Sequence, residues 1–405
     1  MQLKKCLWYD QLMINSITKH ADTTQYQSFS KMIETSITDF IEKFVANQAK
    51  VIEKNAISKD MWESLGTFGL LGISAPESFG GLAQPYRLQA SVIEQISRYS
   101  PSLGLSYLAH SHLCMNPLIQ HGTEYQKKQW LHDLISGKKI GSIGISEPNA
   151  GSDALAMKTT ATIEKDHFSL NGQKIWITNG PDADVCIVYA KTNTDNNQRG
   201  ITAFIVDLTK PGVKKSKPIE KLGMRGSKTG SLYFSNVRLS KEDVIGEIDS
   251  GLSILMQGLN IERVMLAAGP LGIQKACLDL VLDYTSHREQ FNKPLIEFQI
   301  TQAKIADMYT GIESSQTFLT EAFNRIEQNQ LTNAYAASVY LHCSRTAVAT
   351  SMETVQLLGG NGYTEDYAAE MLMRDAKLFD IGGGTNEIRQ MIIAKEIIKA
   401  FRKNN

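Results

Sequence analysis

Cysteine is scarce and scattered in this chain: Cys6, Cys114, Cys186, Cys277 and Cys343 stand far apart, and no Cys-x-x-Cys pair occurs. That spacing argues against a disulfide framework or a zinc site and fits reduced thiols inside a cell. The eight histidines do not cluster; His110 and His112 are two apart and point to different sides of a helix, a weak basis for a metal site. An excess of one charge is lacking too, since 42 basic residues balance 42 acidic ones without a basic tract. This leaves no electrostatic footprint for nucleic acid or an anionic membrane. No uncharged apolar run approaches the ~20 residues of a membrane span, and Val264–Ile273 is the kind of short run that a packed interior uses. We therefore expect a globular protein with neither nucleic acid nor a membrane as partner.

At 405 residues there is room for two or three domains with a substantial core. Three zones are expected: an all-helical domain over 28–140, a β-rich domain over 141–250 and a helical bundle over 251–405. In the first, Ile33, Ile37, Phe40, Ile41, Phe44 and Val45 keep helical spacing, and further helical stretches cover Lys59–Leu71, Leu88–Arg98 and Leu103–Ile135. In the second, His167–Leu170, Asn171-Gly172 and Gln173–Thr178 read as a hairpin with a tight turn. Val185–Lys191, Ile201–Asp207 and Ser231–Leu239 read as further strands. After Gly251 long helices return, with Ile305, Met308, Ile312 and Leu319 marking one apolar face. The fold class is α+β, without internal repeats. The first stretch of about 25 residues carries Lys4 and Lys5, no arginine, and Asp10 and Asp22. It makes a poor mitochondrial transit peptide, and Met13 is an alternative start.

Glu262 is the most informative residue. On a helix its neighbours are Leu255, Gly258, Leu259, Met265, Leu266 and Gly269, none with a polar side chain. A carboxylate in that stripe is hard to ionise unless compensated, and groups poised in this way serve in proton abstraction. The plainer alternative is a salt bridge, most simply with Arg263.

Four segments could meet a ligand, and each has a bland alternative. Ser146-Glu-Pro-Asn-Ala-Gly-Ser-Asp153 is a turn-rich loop or a surface connection. Trp176-Ile-Thr-Asn179 places an aromatic and a hydroxyl on one strand face, as ordinary sheet packing also would. Gln356-Leu-Leu-Gly-Gly-Asn-Gly-Tyr363 offers close backbone approach or simply a helix C-cap. Ile381-Gly-Gly-Gly-Thr-Asn-Glu-Ile388 offers free amides at a helix start or a hinge. Lys221–Gly230 shares lysines and glycines with a phosphate loop but leads into a strand, so it reads as a turn.

In this order and spacing the chain resembles the acyl-CoA dehydrogenase family from Ser30 to Ile398, and most closely the family's isovaleryl branch. The resemblance rests on Gly104–Cys114, Ser146–Asp153, Trp176–Asp184, Arg199–Val206, Leu222–Ser227, Arg263–Gly272, Gly359–Tyr363 and Arg374–Leu378. It implies an N-terminal helical domain, a central β domain and a C-terminal four-helix bundle. It implies FAD as cofactor, an acyl-CoA substrate losing a proton and a hydride from adjacent carbons, and electron transfer flavoprotein as acceptor.

By the same resemblance Ile143, Ser146 and Ser152 would hold the flavin's pyrimidine side, with Trp176, Ile177 and Thr178 at the ring. Arg288, Gln299, Gln356, Leu357, Leu358, Gly359 and Gly360 would bind the adenine half, largely from a neighbouring subunit, which implies a homotetramer. Thr385, Asn386 and Glu387 would close over the cofactor. The acyl-CoA would contact Ser152, Gln198, Arg199, Ser253, Asn260, Ile261, Arg263, Gly383 and Gly384.

Many members carry the base in Tyr-Glu-Gly-Thr, which aligns with Gly382-Gly383-Gly384-Thr385, so that glutamate is missing here. The isovaleryl and long-chain branches place it on the preceding helix, where this chain has Glu262. The resemblance thus implies oxidation of isovaleryl-CoA to 3-methylcrotonyl-CoA with Glu262 as base. Gly383 also widens the acyl pocket for a β-methyl branch. Two glycines stand where the isovaleryl branch has glycine then alanine, and Ser253 replaces an aromatic. Longer or other methyl-branched acyl-CoAs are the alternative, and a non-catalytic flavoprotein a third. The compartment expected is the bacterial cytoplasm or the mitochondrial matrix.

Overall fold

The computed structural model describes residues 35–193 and 200–404. Ile37, Ile41 and Val45 recur every four residues and are buried, which draws their segment into a helix. It passes through a π-helical turn (Ile41–Val45) into α1 (Ala46–Asn55). Helix α2 (Lys59–Thr67) opens at Ser58, whose hydroxyl accepts from the Met61 amide. Helices α3 (Tyr86–Tyr99) and α4 (Pro101–Leu108) meet at Ser100, and Pro101 occupies a first-turn position where no N–H is needed. The stretch from Leu103 to Ile135 is interrupted twice. A π-helical turn (Ala109–Cys114) leads into α5 (Met115–His121), and Gly122 separates it from α6 (Glu124–Ile135), which starts with a Thr123–Gln126 capping box.

Eight strands follow: β1 (Gly141–Gly144), β2 (Thr160–Ile163), β3 (Phe168–Thr178), β4 (Val185–Lys191), β5 (Ile201–Asp207), β6 (Val213–Lys215), β7 (Thr229–Leu239) and β8 (Val244–Ile245). They form one sheet in the order β6-β7-β3-β2-β4-β5-β8, with β1 parallel to β4. β4 explains its unbroken apolar sequence. Val185, Ile187 and Tyr189 pack with Cys114, Leu131 and Leu134 of the helical domain, while Cys186, Val188 and Ala190 enter a second core with Phe204 and Leu232. Both faces are buried, so alternation disappears.

The Asn171-Gly172 hairpin does not form. β3 runs straight through both residues and pairs with β7 from Phe168 opposite Leu239 to Thr178 opposite Thr229. Gly172 sits at a bulge with φ +145°, where a Cβ would come within 2.5 Å of the Thr159 hydroxyl. The dipeptide's freedom serves a close crossing rather than a reversal. The reversal falls at Glu164–His167, between β2 and β3.

The bundle comprises α7 (Gly251–His287), α8 (Gln299–Glu327), α9 (Asn333–Leu358), α10 (Ala369–Phe379) and α11 (Asn386–Asn404), with a ribbon β9 (Glu289–Gln290), β10 (Lys293–Pro294) after α7. Helix α7 is long and apolar enough for a membrane by length and composition, but 78% of that window is buried inside the fold. Its glycines set the packing distances: a Cβ on Gly272 would lie 2.2 Å from the Glu94 carbonyl of α3, and one on Gly269 would lie 2.7 Å from Phe379 of α10. Its first turns place Ile254 and Leu255 in the core under β4, and its middle joins the helical core. Glu262 lies at that crossover.

Candidate active site

Glu262 is half-buried on α7. Leu255, Met265 and Leu266 beside it are buried, as the helical spacing predicts. Its Oε1 reaches back to Gly258, 3.3 Å from where a Cβ there would lie, so a larger residue at that position would crowd the carboxyl. Among the described residues nothing donates to it. Arg263, the partner a salt bridge would use, instead donates from Nη1 to Asn260 Oδ1 at 3.1 Å. Burial pushes Glu262 up to about 7, against the opposing pull of the Arg263 charge. Tyr189 on β4 is raised by burial first and then by the Glu262 charge, which puts its phenol in the field of the carboxylate. A carboxyl in this state can exchange a proton near neutral pH.

Across from it lies the Gly382–Gly384 loop between α10 and α11. Gly383 has φ +66° and Gly384 φ +89°, backbone regions that glycine tolerates and side-chain-bearing residues rarely do. A Cβ on Gly383 would come 2.5 Å from Leu266 Cδ1, one turn after Glu262. A side chain at Gly383 would therefore be strained by the backbone and would have to displace Leu266.

The sheet supplies the other wall. Trp176 is 60% exposed with φ +63°, at an irregularity in β3 between Lys174 and Ile177. The bulge, more than simple alternation, turns the indole outward. Thr178 is half-buried at the end of β3, whereas Ile177 packs in the sheet core and offers only its backbone. Ile143 lies half-buried on β1, Ser146 accepts from the Ile175 amide through its carbonyl at 2.9 Å, and Ser152 is exposed.

The loop between β1 and β2 is held from beneath by a buried pair that sequence reasoning missed. Lys174 Nζ donates to Glu147 Oε1 at 2.8 Å and to the Ile145 carbonyl at 3.0 Å. The Lys158 and Thr159 amides donate to the same carboxylate at 2.6 and 3.0 Å. Burial alone would raise Glu147, but the Lys174 charge and these donors hold it below its usual range. Burial also lowers Lys174, against the pull of Glu147. The available signal was a lysine at an inward position of β3, two residues after Gly172.

Of the remaining expected residues, Asn260 donates to Asn333 Oδ1 at 2.7 Å, Ile261 is half-buried, and Ser253 is exposed and accepts from Gln257. Thr385 caps α11 by accepting from the Ile388 amide at 3.3 Å, and Glu387 is exposed. Asn386 is buried and its side chain is engaged with Asp380 and Arg389, so it is not free for a ligand. Arg288, Gln299, Gln356, Gly359 and Gly360 are exposed; Leu357 is half-buried, and Leu358 turns into the core and presents only backbone. Arg288 lies about 39 Å along the α7 axis from Glu262, too far to share one ligand end with it. Gln198 and Arg199 lie outside the described residues.

An outward indole, a hydroxyl beside it, and the Gly383 and Gly384 amides with no acceptor among the described residues suit a flat aromatic ligand with polar edges. A cavity of about 1750 Å³ elsewhere in the fold contains none of these groups. Its lining includes paired charges such as Arg98 with Asp279 and Arg374 with Glu53.

Comparison with known proteins bears on the family and the fold. Models of the N-terminal, middle and C-terminal domains of acyl-CoA dehydrogenase match residues 28–138, 142–237 and 249–398. Mitochondrial isovaleryl-CoA dehydrogenase from Solanum tuberosum is 43% identical over 377 residues, 92% of each chain. Mitochondrial 2-methylacyl-CoA dehydrogenase from the same organism is 41% identical, over 91% of this chain and 90% of the relative. The solved butyryl-CoA dehydrogenase of Megasphaera elsdenii superposes with a TM-score of 0.88 at 34% identity, covering 94% of this chain and 100% of that one.

Proposed function

The chain belongs to the acyl-CoA dehydrogenase family of FAD-dependent enzymes, and from that footing we propose that it oxidises isovaleryl-CoA to 3-methylcrotonyl-CoA with Glu262 as the base. One observation carries the assignment: Glu262 is an unpaired carboxyl raised to about 7, opposite a loop of three glycines that supplies no second one. A base of that strength removes a proton from the carbon next to the thioester carbonyl without remaining permanently protonated at neutral pH. Leu255, Met265 and Leu266 give it an apolar flank, and a ligand closing the remaining side would strengthen each interaction made there. Bound in the cleft, FAD supplies the acceptor for the hydride from the neighbouring carbon.

Trp176 would pack on the ring, with Thr178 and the Ile143–Ser152 loop along its edge and Thr385 and Glu387 over it. Arg288, Gln299 and the Gln356–Gly360 segment would serve the adenine half of the cofactor in a neighbouring subunit. Their distance from Glu262 supports that arrangement, and with it a homotetramer. Ser152, Ser253, Asn260, Ile261, Arg263 and the Gly383–Gly384 backbone would meet the acyl-CoA. Electron transfer flavoprotein would take the electrons, in the mitochondrial matrix of a eukaryote or the cytoplasm of a bacterium.

Glu262→Gln should keep FAD and acyl-CoA binding and abolish flavin reduction by isovaleryl-CoA. Near-normal bleaching of the flavin in stopped flow would refute the assignment. The 2-methylacyl relative supports a second reading, with the methyl on the carbon that loses the proton. A single methyl discriminates by only about 1–3 kcal/mol, so kcat/KM across isovaleryl-CoA, 2-methylacyl-CoAs and straight chains decides between the two.

A further inference from the structure

The Gly382–Gly384 loop is flexible in its covalent chemistry and immobile in its surroundings. Two successive glycines in the left-handed region can take either sign of φ, so the Gly382–Gly383 peptide has two orientations of similar intrinsic energy. In one its carbonyl faces the bundle; in the other it faces the cleft. Only the first is found, because two buried donors hold the Gly382 carbonyl: Tyr340 Oη at 2.9 Å and Arg389 Nη2 at 2.7 Å.

Arg389 is itself fully buried and makes no ion pair among the described residues. Its Nη atoms also donate to the Phe379 carbonyl at 2.8 Å, Asn386 Oδ1 at 2.8 Å and Ser344 Oγ at 3.1 Å, Nε has no acceptor among the described residues, and the guanidinium lies 3.5 Å from the Tyr340 ring centroid. A buried guanidinium lacking an ion pair is a demanding arrangement, and packing alone would be met by an apolar side chain. What the charge secures here is the direction of carbonyls at the end of α10 and in the glycine loop.

We propose that Arg389 and Tyr340 are positioning residues that lock the Gly382–Gly383 peptide with its N–H toward the acyl pocket and its carbonyl away from Glu262. The two ends of a trans peptide point in opposite directions. With the carbonyl directed at two buried side chains, the Gly383 N–H points to the exposed side of the loop, where it has no acceptor among the described residues. The proposal rests on Glu262 being the base. As the proton leaves, charge builds on the thioester oxygen, and a fixed amide donor there helps more in the transition state than in the ground state. A flipped peptide would present an oxygen to that charge and to the ionised Glu262.

The test uses the full-length, FAD-loaded protein with Tyr340→Phe, which removes only the hydroxyl, and Arg389→Lys, which keeps the charge without the fork. Tyr340→Phe should retain its FAD and lower kcat for isovaleryl-CoA about tenfold with KM changed less than about threefold. The acid limb of its kcat/KM profile should move upward. A 3-oxoacyl-CoA, whose enolate carries charge on the same oxygen, should bind about tenfold more weakly by calorimetry. Arg389→Lys should shift all three in the same direction; if it fails to fold, Tyr340→Phe decides. Unchanged kcat, acid limb and enolate affinity in folded Tyr340→Phe would overturn the proposal, as would loss of FAD or of folded protein in that variant. Glu262→Gln in parallel separates the two readings: if it still reduces flavin, the base assignment fails, and enolate affinity alone judges the clamp.

Discussion

Glu262 sets activity and stability against each other along the pH axis. Burial raises it to about 7, so between its unfolded value near 4.5 and that pH the native state holds a proton that the unfolded chain has lost. Stability therefore falls as pH rises through this window, by at most about 3 kcal/mol, and the loss is complete above 7. Turnover runs the other way, because only the ionised form accepts a proton. Glu262→Gln should melt above the wild type at pH 8, with the difference shrinking toward pH 5; a pH-independent difference in Tm would contradict this. Gly383→Ala should lose about 1–3 kcal/mol by forcing Leu266 aside, measured by urea unfolding, with selectivity moving away from branched acyl chains. The sequence made Glu262 visible because one carboxylate interrupts an apolar stripe. It hid Arg389, which reads as an ordinary basic residue of a terminal helix until the carbonyls of a different segment come within its reach.

Strands and helices were read well where one rule governed them. β4 and β5 have the limits expected from their apolar runs, since burial on both faces leaves little else to do with such segments. The Asn-Gly hairpin failed because Thr159 crosses over Gly172, a long-range contact that no local turn preference contains. The same region holds the buried Lys174–Glu147 pair, which ties the middle of β3 to the loop expected to meet the cofactor. Removing one partner leaves the other as an uncompensated buried charge. Lys174→Met should therefore lose about 3–5 kcal/mol in denaturant titration and release FAD more readily. Adding Glu147→Gln should recover part of the stability; if the double variant is no better than the single one, the pair is not the source of the loss.

The change from period 3.6 to period 2 and back made the three zones legible, but how they are fastened together was not. His110, read as a stray histidine, bridges the helical zone and the sheet. Its Nε2 donates to the Leu134 carbonyl at 3.0 Å while its Nδ1 accepts from the Gly141 amide at 2.9 Å, and burial lowers it to about 4, so it stays neutral. On the other side, Arg374 of α10 reaches both Glu53 of α1 and the Leu222 carbonyl, and Asp375 accepts from the Met224 amide. Such ties join residues from 24 to 321 positions apart, and a single sequence gives no sign of which polar groups will meet.

Helix α7 carries Glu262 near one end and leads to Arg288 at the other, about 39 Å away. If those ends belong to different cofactors, each chain is a donor to two reaction centres. A protein with Glu262→Gln and another with Arg288→Ala would each be silent alone, for unrelated reasons. Co-expressed in one assembly, the intact Glu262 of one chain would meet the intact Arg288 of the other, and roughly a quarter of the sites in a random mixture would be whole. Turnover from two dead parents would show that the unit of inheritance and the unit of catalysis are not the same object in this protein, and its absence would return both ends of the helix to a single subunit.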